Sequence, residues 1–414
     1  MDRCDQFACG RPDARFSGPY RMSGPYIPDR VRARHASPGF SLVVLVGLFA
    51  TASALFATEP GERWRSIYSY DELNSSLVIN DFQFLTAQHG VAAGFLLEKD
   101  GKIKPTTLVS NDGGQHWTFT PIHENKDVPV SLFFRDSNRG WMVTDDAIWR
   151  SDDGGRTWKK LAKLEGIERV YFTSADHGYA AGDQKKVYET SDGGKTWTEL
   201  AIAAQPDSTP ERTVYNWIDF AGPDAGIITG WNQPAPDPRR VIPEWVNPRP
   251  SSSRRETPHL SIFLQTRNGG KTWNPTTGSL FGHVACVRLS LSGYGLGIIQ
   301  FKDAFDWPSE VFRIDWTTGE SSRVFREQNR LITDVALPPS GPAYLVGIEK
   351  LDHLNDSPVP GKVKVLRSED LDNWQEMDVD YRATAHRVMI SAIDDKNIWI
   401  ATDTGMVLKP VPAR

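Results

Sequence analysis

The sequence predicts an all-β fold, a single seven-bladed β-propeller in which the two ends of the chain meet in one blade. One turn recurs four times, as SNDGGQHW at 110–117, SDDGGRTW at 151–158, TSDGGKTW at 190–197 and TRNGGKTW at 266–273. The closing tryptophans lie 41, 39 and 76 residues apart, which fits one four-stranded blade per turn and one blade with an insertion. A content of 14 Trp, 34 Gly and 28 Pro in 414 residues also suits short strands joined by tight turns.

The first 57 residues are expected to direct export. Arg30, Arg32 and Arg34 precede an apolar run at 40–57, and the Ala-Ser-Ala at 52–54 suits a signal peptidase. The run is also long enough for an uncleaved membrane anchor, so cleaved and anchored forms both stay open. A start at Met22 instead of Met1 is a further hypothesis. We expect a periplasmic or extracellular protein whose propeller spans 58–414.

Charge and cysteine content limit the classes of partner and of stabilising bond. The segment after residue 57 carries 40 basic and 48 acidic side chains, which argues against nucleic-acid binding. It has a single cysteine, Cys286, so no disulfide framework is expected.

The recurring turn marks four blades, at 79–122, 130–162, 168–201 and 214–277, and decayed copies of it, RIDWTTG and RSEDLDNW, mark two more at 284–325 and 331–379. Each contains a strand, a Gly-ended turn and a second strand, as in FFRDSNRGWMVT and YFTSADHGYAAG. The carboxyl-terminal segment 387–410 has three strands, whereas RWRSIYSY at 63–70 resembles an isolated outer strand. Joining the two would complete a seventh blade and close the ring.

The recurring turns have a structural explanation. An Asp side chain can accept backbone N–H groups of its own turn, Gly tolerates positive φ, and Trp can pack between neighbouring sheets. An EF-hand calcium loop would need alternating acids and a closing Glu, which these turns lack. We therefore assign a structural role to Ser110, Asp112, Gly114, Trp117, Ser151, Asp153, Gly155, Trp158, Asp192, Gly194, Trp197, Gly270 and Trp273.

These turns resemble the Asp-box, or bacterial neuraminidase repeat, with its consensus Ser-x-Asp-x-Gly-x-x-Trp. The first two copies match in full, whereas Thr190 replaces Ser in the third, and Thr266 and Asn268 replace Ser and Asp in the fourth. Over residues 64–410 the chain resembles the photosystem II stability/assembly factor family and its bacterial relatives. That resemblance implies an exported, non-catalytic scaffold that binds a newly made membrane protein or an assembly intermediate.

An extracytoplasmic carbohydrate-active enzyme, either sialidase-like or another glycosidase, is the alternative. The nearest match to a sialidase Phe-Arg-Ile-Pro segment is FRID at Phe312, which follows the turns and lacks Pro. Asp145–Asp146 and Asp394–Asp395 are candidate acid pairs, although adjacent acids are typical of solvated turns. Apolar inward strands such as LSIFLQT and GLGIIQF would argue against a glycosidase. Zincin histidines, a nucleophile elbow and phosphate-binding loops are missing, so we predict no catalytic residue, metal or cofactor.

Long connections in blades four to six indicate a partner-binding face. The largest, at 231–259, has seven Pro and five Arg, and KDAFDWPSE and EKLDHLNDSPVPGK follow in the next two blades. Arg and Trp are common interface anchors, so a protein or peptide partner is expected. The cationic loop could also contact an anionic membrane surface. The predicted binding residues are Arg239, Arg240, Trp245, Arg249, Arg254, Arg255, Trp307 and His353.

Overall fold

The computed structural model describes residues 62–122, 127–232, 258–301, 307–350 and 359–412. The predicted targeting segment at 1–57 lies outside the described residues. Within these ranges no helix has the length and hydrophobicity that crossing a bilayer requires. The same ranges contain two short 3-10 helices, at Ala201–Ala204 and Pro210–Arg212.

The described residues form thirty strands. In chain order they are β1 (Glu62–Ser69), β2 (Ser75–Phe84), β3 (Gly90–Glu98), β4 (Ile103–Ser110), β5 (Thr118–Pro121), β6 (Pro129–Phe134), β7 (Gly140–Thr144), β8 (Ala147–Ser151), β9 (Lys159–Lys163), β10 (Ile167–Phe172), β11 (Gly178–Gly182), β12 (Val187–Thr190), β13 (Thr198–Glu199), β14 (Thr213–Ala221), β15 (Ala225–Asn232), β16 (His259–Thr266), β17 (Asn274–Leu280), β18 (His283–Leu289), β19 (Tyr294–Gln300), β20 (Ser309–Asp315), β21 (Glu320–Phe325), β22 (Arg330–Ala336), β23 (Ala343–Glu349), β24 (Gly361–Ser368), β25 (Gln375–Glu376), β26 (Asp378–Val379), β27 (Thr384–Ala385), β28 (Val388–Ala392), β29 (Ile398–Thr402) and β30 (Met406–Pro412).

These strands make seven sheets, antiparallel apart from one short pairing in blade seven, which confirms the predicted seven-bladed propeller. Blades one to five are β2–β5, β6–β9, β10–β13, β14–β17 and β18–β21, and blade six is β22–β25 with β27 paired to β24. Blade seven contains β28, β29 and β30, with β1 beside β30. Buried hydrophobic side chains cluster between neighbouring sheets, as with Trp141 and Phe172 between blades two and three.

The two ends of the chain close the ring as the sequence predicted. Strand β1 pairs antiparallel with β30, from Glu62 opposite Pro412 to Ser69 opposite Met406. Trp64 on β1 is fully buried against Tyr344 of blade six. The pairing hides one edge each of β1 and β30.

The predicted boundary of blade six was wrong at its end. Residues 378–379 were placed in blade six, but β26 pairs in parallel with β1 and belongs to the sheet of blade seven. The outer edge of β1 offers unpaired backbone groups there, and β26 satisfies part of that edge.

The first strand of each blade lies innermost. These seven strands contact one another in a closed circle, and residues from all seven line the central channel. The expectation that LSIFLQT and GLGIIQF face the channel was therefore wrong. They are β16, the third strand of blade four, and β19, the second strand of blade five. Both are apolar because Ile262 and Ile298 are fully buried in cores between sheets.

Two faces of the ring follow from this strand order. The turns that join first to second strands and third to fourth strands lie on one side, which we call the turn face. Connections from second to third strands, and those between blades, lie on the other side, the loop face.

Candidate functional site

The four recurring turns share one pattern of hydrogen bonds. In each, the hydroxyl that opens the turn donates to the Asp or Asn two residues later and accepts the N–H of the second Gly. The Asp192 carboxylate accepts the Thr196 hydroxyl at 2.6 Å and its N–H at 2.9 Å, and these bonds lower the pKa of Asp192 to about 2. Thr and Asn supply the same oxygen atoms as Ser and Asp, which explains why the third and fourth copies keep this geometry.

Each of these turns is also bound by the preceding blade. The carbonyl of its first Gly accepts a hydrogen bond from a Trp, Tyr or His side chain on the previous blade. For the His, which is His89, this holds for the tautomer with the proton on Nε2. The pairs are Trp399 Nε1 to Gly113 O at 2.9 Å, His89 Nε2 to Gly154 O at 2.7 Å, Trp141 Nε1 to Gly193 O at 2.9 Å and Tyr179 Oη to Gly269 O at 3.3 Å. The turns therefore connect neighbouring sheets as well as strands.

Aromatic rings reinforce the same junctions. The closing Trp of each turn meets a Phe of its own inner strand edge-on, as Trp197 does with Phe172 at 6.0 Å. Phe172 in turn stacks on Trp141 of the preceding blade with ring centroids 3.6 Å apart. Trp273 and Phe220 repeat the edge-on arrangement at 6.0 Å. Such pairs add stability beyond the apolar area that they bury.

The three long connections that the sequence singled out all begin and end on the loop face. They join β15 to β16, β19 to β20 and β23 to β24, the second and third strands of blades four, five and six. Strands reach into the predicted 231–259 insertion at both ends, because Trp231 lies in β15 and His259 in β16. The predicted binding residues that lie outside the described residues are Arg239, Arg240, Trp245, Arg249, Arg254, Arg255 and His353.

Described side chains at the base of these connections are aromatic and cationic. Trp231 stacks on His259 and also approaches His283 of blade five, with centroids 5.2 Å apart in both pairs. Trp307, a predicted binding residue, has the Arg326 guanidinium 3.8 Å above its ring. Arg326 also pairs with Glu310 at 3.1 Å. Trp307 therefore lies in a fixed cation–π contact on blade five.

Two cavities lined by described residues lie in the central channel. One of about 350 Å³ is lined by the later residues of the inner strands, on the side of the turn face, and we call it the turn-side cavity. The other, of about 340 Å³, is lined by the earlier residues of most of these strands and is the loop-side cavity. Arg169 lines both of them.

Five charged residues on the inner strands form a collar around Trp217. Arg169 and Arg288 lie with their guanidinium carbons 3.7 and 4.9 Å from the centre of the Trp217 ring. The other members are three carboxylates. Arg169 is 3.7 Å from Asp81 and Arg288 is 3.8 Å from Asp334, and Asp219 is the fifth member.

Each carboxylate of the collar bridges two neighbouring blades. Asp81 accepts the N–H of Leu132 at 3.0 Å, Asp219 that of Leu289 at 2.6 Å and Asp334 that of Ile390 at 3.1 Å. Burial raises the pKa of Asp219 to about 6, against the opposing effect of Arg288. Each acid thus connects its own inner strand to that of the next blade through a backbone donor there.

The acid pairs predicted from sequence are not brought together. Asp145–Asp146 join β7 to β8 on the loop face, whereas Asp394–Asp395 lie between β28 and β29 on the turn face. Asp394 accepts the N–H groups of Lys396 and Asn397 at 2.9 Å, as a turn-forming acid does. Burial raises the pKa of the Cys286 thiol, which leaves little reactive thiolate. Among the described residues no group of three His, Cys, Asp or Glu side chains could hold a metal ion.

Sequence reasoning missed the collar. The available signal was a charged residue inside an otherwise apolar first strand, as in NWIDFA, IERVYF and TDVALP. These charged residues come together because all seven inner strands meet in the ring, and no single repeat shows that arrangement.

The comparisons with known proteins support the fold. Residues 146–279, about a third of the chain, match the family described as Sortilin, neurotensin receptor 3 (Sortilin-Vps10). No curated protein sequence matches the chain. The solved structure of YCF48 bound to D1 peptide is similar, with a TM-score of 0.54 and 16% identity over 84% of this chain and 96% of that one.

Two further solved structures show the same likeness. YCF48 from Cyanidioschyzon merolae has a TM-score of 0.50 and 16% identity, with 84% of this chain and 98% of that one covered. A streptogramin B lyase has a TM-score of 0.54 and 12% identity, with 85% and 98% covered. Because these proteins differ in activity and their sequence identity to this chain is low, the likeness establishes the architecture alone. The chain is a seven-bladed β-propeller that shares its fold with YCF48 and with a lyase.

Proposed function

We propose that this protein is an exported, non-catalytic propeller that binds a protein or peptide partner on the loop face of blades four to six. The observation that carries the proposal is the position of the three long connections, which emerge from consecutive blades on one face. A rigid scaffold that presents several neighbouring loops is the usual arrangement of a binding surface. The repeated junctions between blades provide that rigidity.

The chemistry of this face favours a polypeptide partner. The 233–257 segment brings five Arg and Trp245, and the described base adds Trp231 and Trp307. Arg and Trp are the residues most often found at the energetic centre of protein interfaces. The similar fold of a YCF48 that is solved with a D1 peptide is consistent with peptide binding.

The finer proposal is that the recurring turns are Asp-box repeats and that the chain serves assembly of a membrane protein, as in the photosystem II assembly factor-like proteins. Its turn geometry and apolar leader support this proposal. The positive charge of the 233–257 segment would also favour an anionic membrane surface beside such a partner.

The experiment is a comparison of partner capture from membrane extracts. In the test variant, residues 233–257 are replaced by a short Gly-Ser turn that leaves Trp231 and His259 in their strands. The matched control replaces residues 99–102, the equivalent connection of blade one on the same face. We expect a partner that is retained by the intact protein and the control but lost by the test variant. Equal retention by all three would contradict the site.

A carbohydrate-active enzyme is the second candidate, because the collar places three Asp and two Arg beside the channel, where a glycosidase would hold its substrate. The bonds of these acids to neighbouring inner strands favour a structural role instead. Hydrolysis of glycosides that is abolished by Asp219→Asn would favour the enzyme over the scaffold.

A further inference from the structure

The two arginines of the collar have donor groups that the protein leaves unused. A guanidinium carries five N–H donors. Within the described residues, Arg169 and Arg288 reach carboxylates only at 3.7 and 3.8 Å, beyond hydrogen-bond length. Their side chains are 19% and 36% exposed, so both contact the space of the channel. These donors face the channel, where a group that accepts hydrogen bonds can pair with them.

The acceptors of the cavity are already used. The carboxylates that line it are Asp81 and Asp219. Besides the bonds between blades, Asp81 accepts the N–H of Phe82 at 2.9 Å, and Asp219 accepts that of Phe220. What the turn-side cavity lacks is therefore an acceptor that can face two guanidinium groups. A planar carboxylate matches the fork of a guanidinium better than a spherical anion does.

The remaining wall suits a short carbon chain. Phe133 and Tyr171 line the same cavity, with ring centroids 4.7 Å apart. A volume of about 350 Å³ lies at the lower end of the range for ligand pockets. The cavity thus combines a mostly polar lining with two aromatic rings.

We propose that the turn-side cavity binds a small carboxylate ligand, with Arg169 and Arg288 holding the carboxylate and Phe133 and Tyr171 contacting its carbon skeleton. This site lies on the opposite side of the ring from the partner face and goes beyond the function proposed above. The carboxylate belongs either to a free small acid or to the carboxyl terminus of a peptide, and the two sources share the same recognition chemistry.

The test measures binding by calorimetry and by thermal stabilisation. The probes are propionate, succinate and acetyl-triglycine, each beside its neutral amide, with inorganic phosphate as a different anion. The variants are Arg169→Lys and Arg288→Lys, which keep the charge but remove the planar fork. Arg65→Lys, an exposed position on β1, is the matched control. The unfolding midpoints without ligand show that each variant is folded.

We expect binding of acids but not of amides, weakened about tenfold or more by either channel variant and unchanged by Arg65→Lys. A preference for acetyl-triglycine over the small acids would identify a peptide carboxyl terminus as the source, and the reverse would identify a free acid. Comparing acids with their amides in the unmodified protein tests the proposal even where a variant does not fold. Absence of carboxylate binding, equal binding by all variants, or equal binding of phosphate would overturn the proposal. Partner capture through the loop face is independent of these results.

Discussion

The junction between blades three and four permits a sharp test of the account of the recurring turns. Gly270 has φ +88°, and a Cβ placed there would overlap the hydroxyl oxygen of Tyr179. Tyr179 is fully buried and donates to Gly269 O, so its ring has little room to move. Gly319 occupies the corresponding turn of blade five with φ +83°, but a Cβ there would meet nothing within 4 Å. The two glycines share a backbone conformation, but only Gly270 has a side chain of the preceding blade against it.

Both alanine variants should therefore lose backbone stability, but only one should also lose packing. A left-handed alanine costs about 1–2 kcal/mol, which is the whole loss expected for Gly319→Ala. Gly270→Ala adds about 1–3 kcal/mol of overpacking and about 1 kcal/mol for the displaced Tyr179 hydrogen bond. We expect total losses of about 3–6 kcal/mol for Gly270→Ala.

The assay is urea unfolding followed by tryptophan fluorescence. A double variant that adds Tyr179→Phe should show non-additive losses, because the displaced hydroxyl is already absent. Equal losses for Gly270→Ala and Gly319→Ala would refute the idea that the turn is fitted to the preceding blade.

Three further predictions concern stability. Because the pKa of Asp219 is about 6 when folded and 3.8 when unfolded, the stability that its protonation provides is present below about pH 4 and lost as the pH rises through 6. Asp219→Asn should thus reduce the fall in unfolding free energy between pH 4 and 7 by up to about 3 kcal/mol, and parallel pH curves would contradict this. Trp141→Phe keeps an aromatic ring but removes the indole N–H that donates to Gly193 O. Denaturant titration should show a loss of at least about 1 kcal/mol, against about 3–5 kcal/mol for Trp141→Ala, and equal losses would contradict a separate role for the hydrogen bond. Deleting residues 58–69 removes β1 and exposes the edge of β30, so size-exclusion chromatography should show association, and an unchanged monomer would contradict the closure.

The sequence predicted those parts of the fold that depend on local chemistry. Ser151, Asp153 and Gly155 form a turn by bonds within five residues, so the turn and the blade count could be read from the chain. The partner of that turn, His89, lies one blade earlier, and its role depends on how two sheets pack. Local pattern therefore identified the turn but not its connection to the previous blade.

The channel shows the limit of the same reasoning. Apolar strands such as β16 were expected to face the channel. A strand whose side chains pack against neighbouring sheets is equally apolar, so hydrophobicity alone does not identify the strand that lines the channel. Arg169 and Arg288 are single charges in separate blades, 119 positions apart in the chain. Only closure of the ring places both beside Trp217.

The central claim is that the partner binds the loop face of blades four to six, and hydrogen exchange of the captured complex tests it most directly. The account predicts slower exchange at the loop-face ends of β15, β16, β19, β20, β23 and β24 when the partner is bound, with the turns at 110–117 and 151–158 unchanged. Protection confined to the turns, or spread evenly around all seven blades, would contradict it.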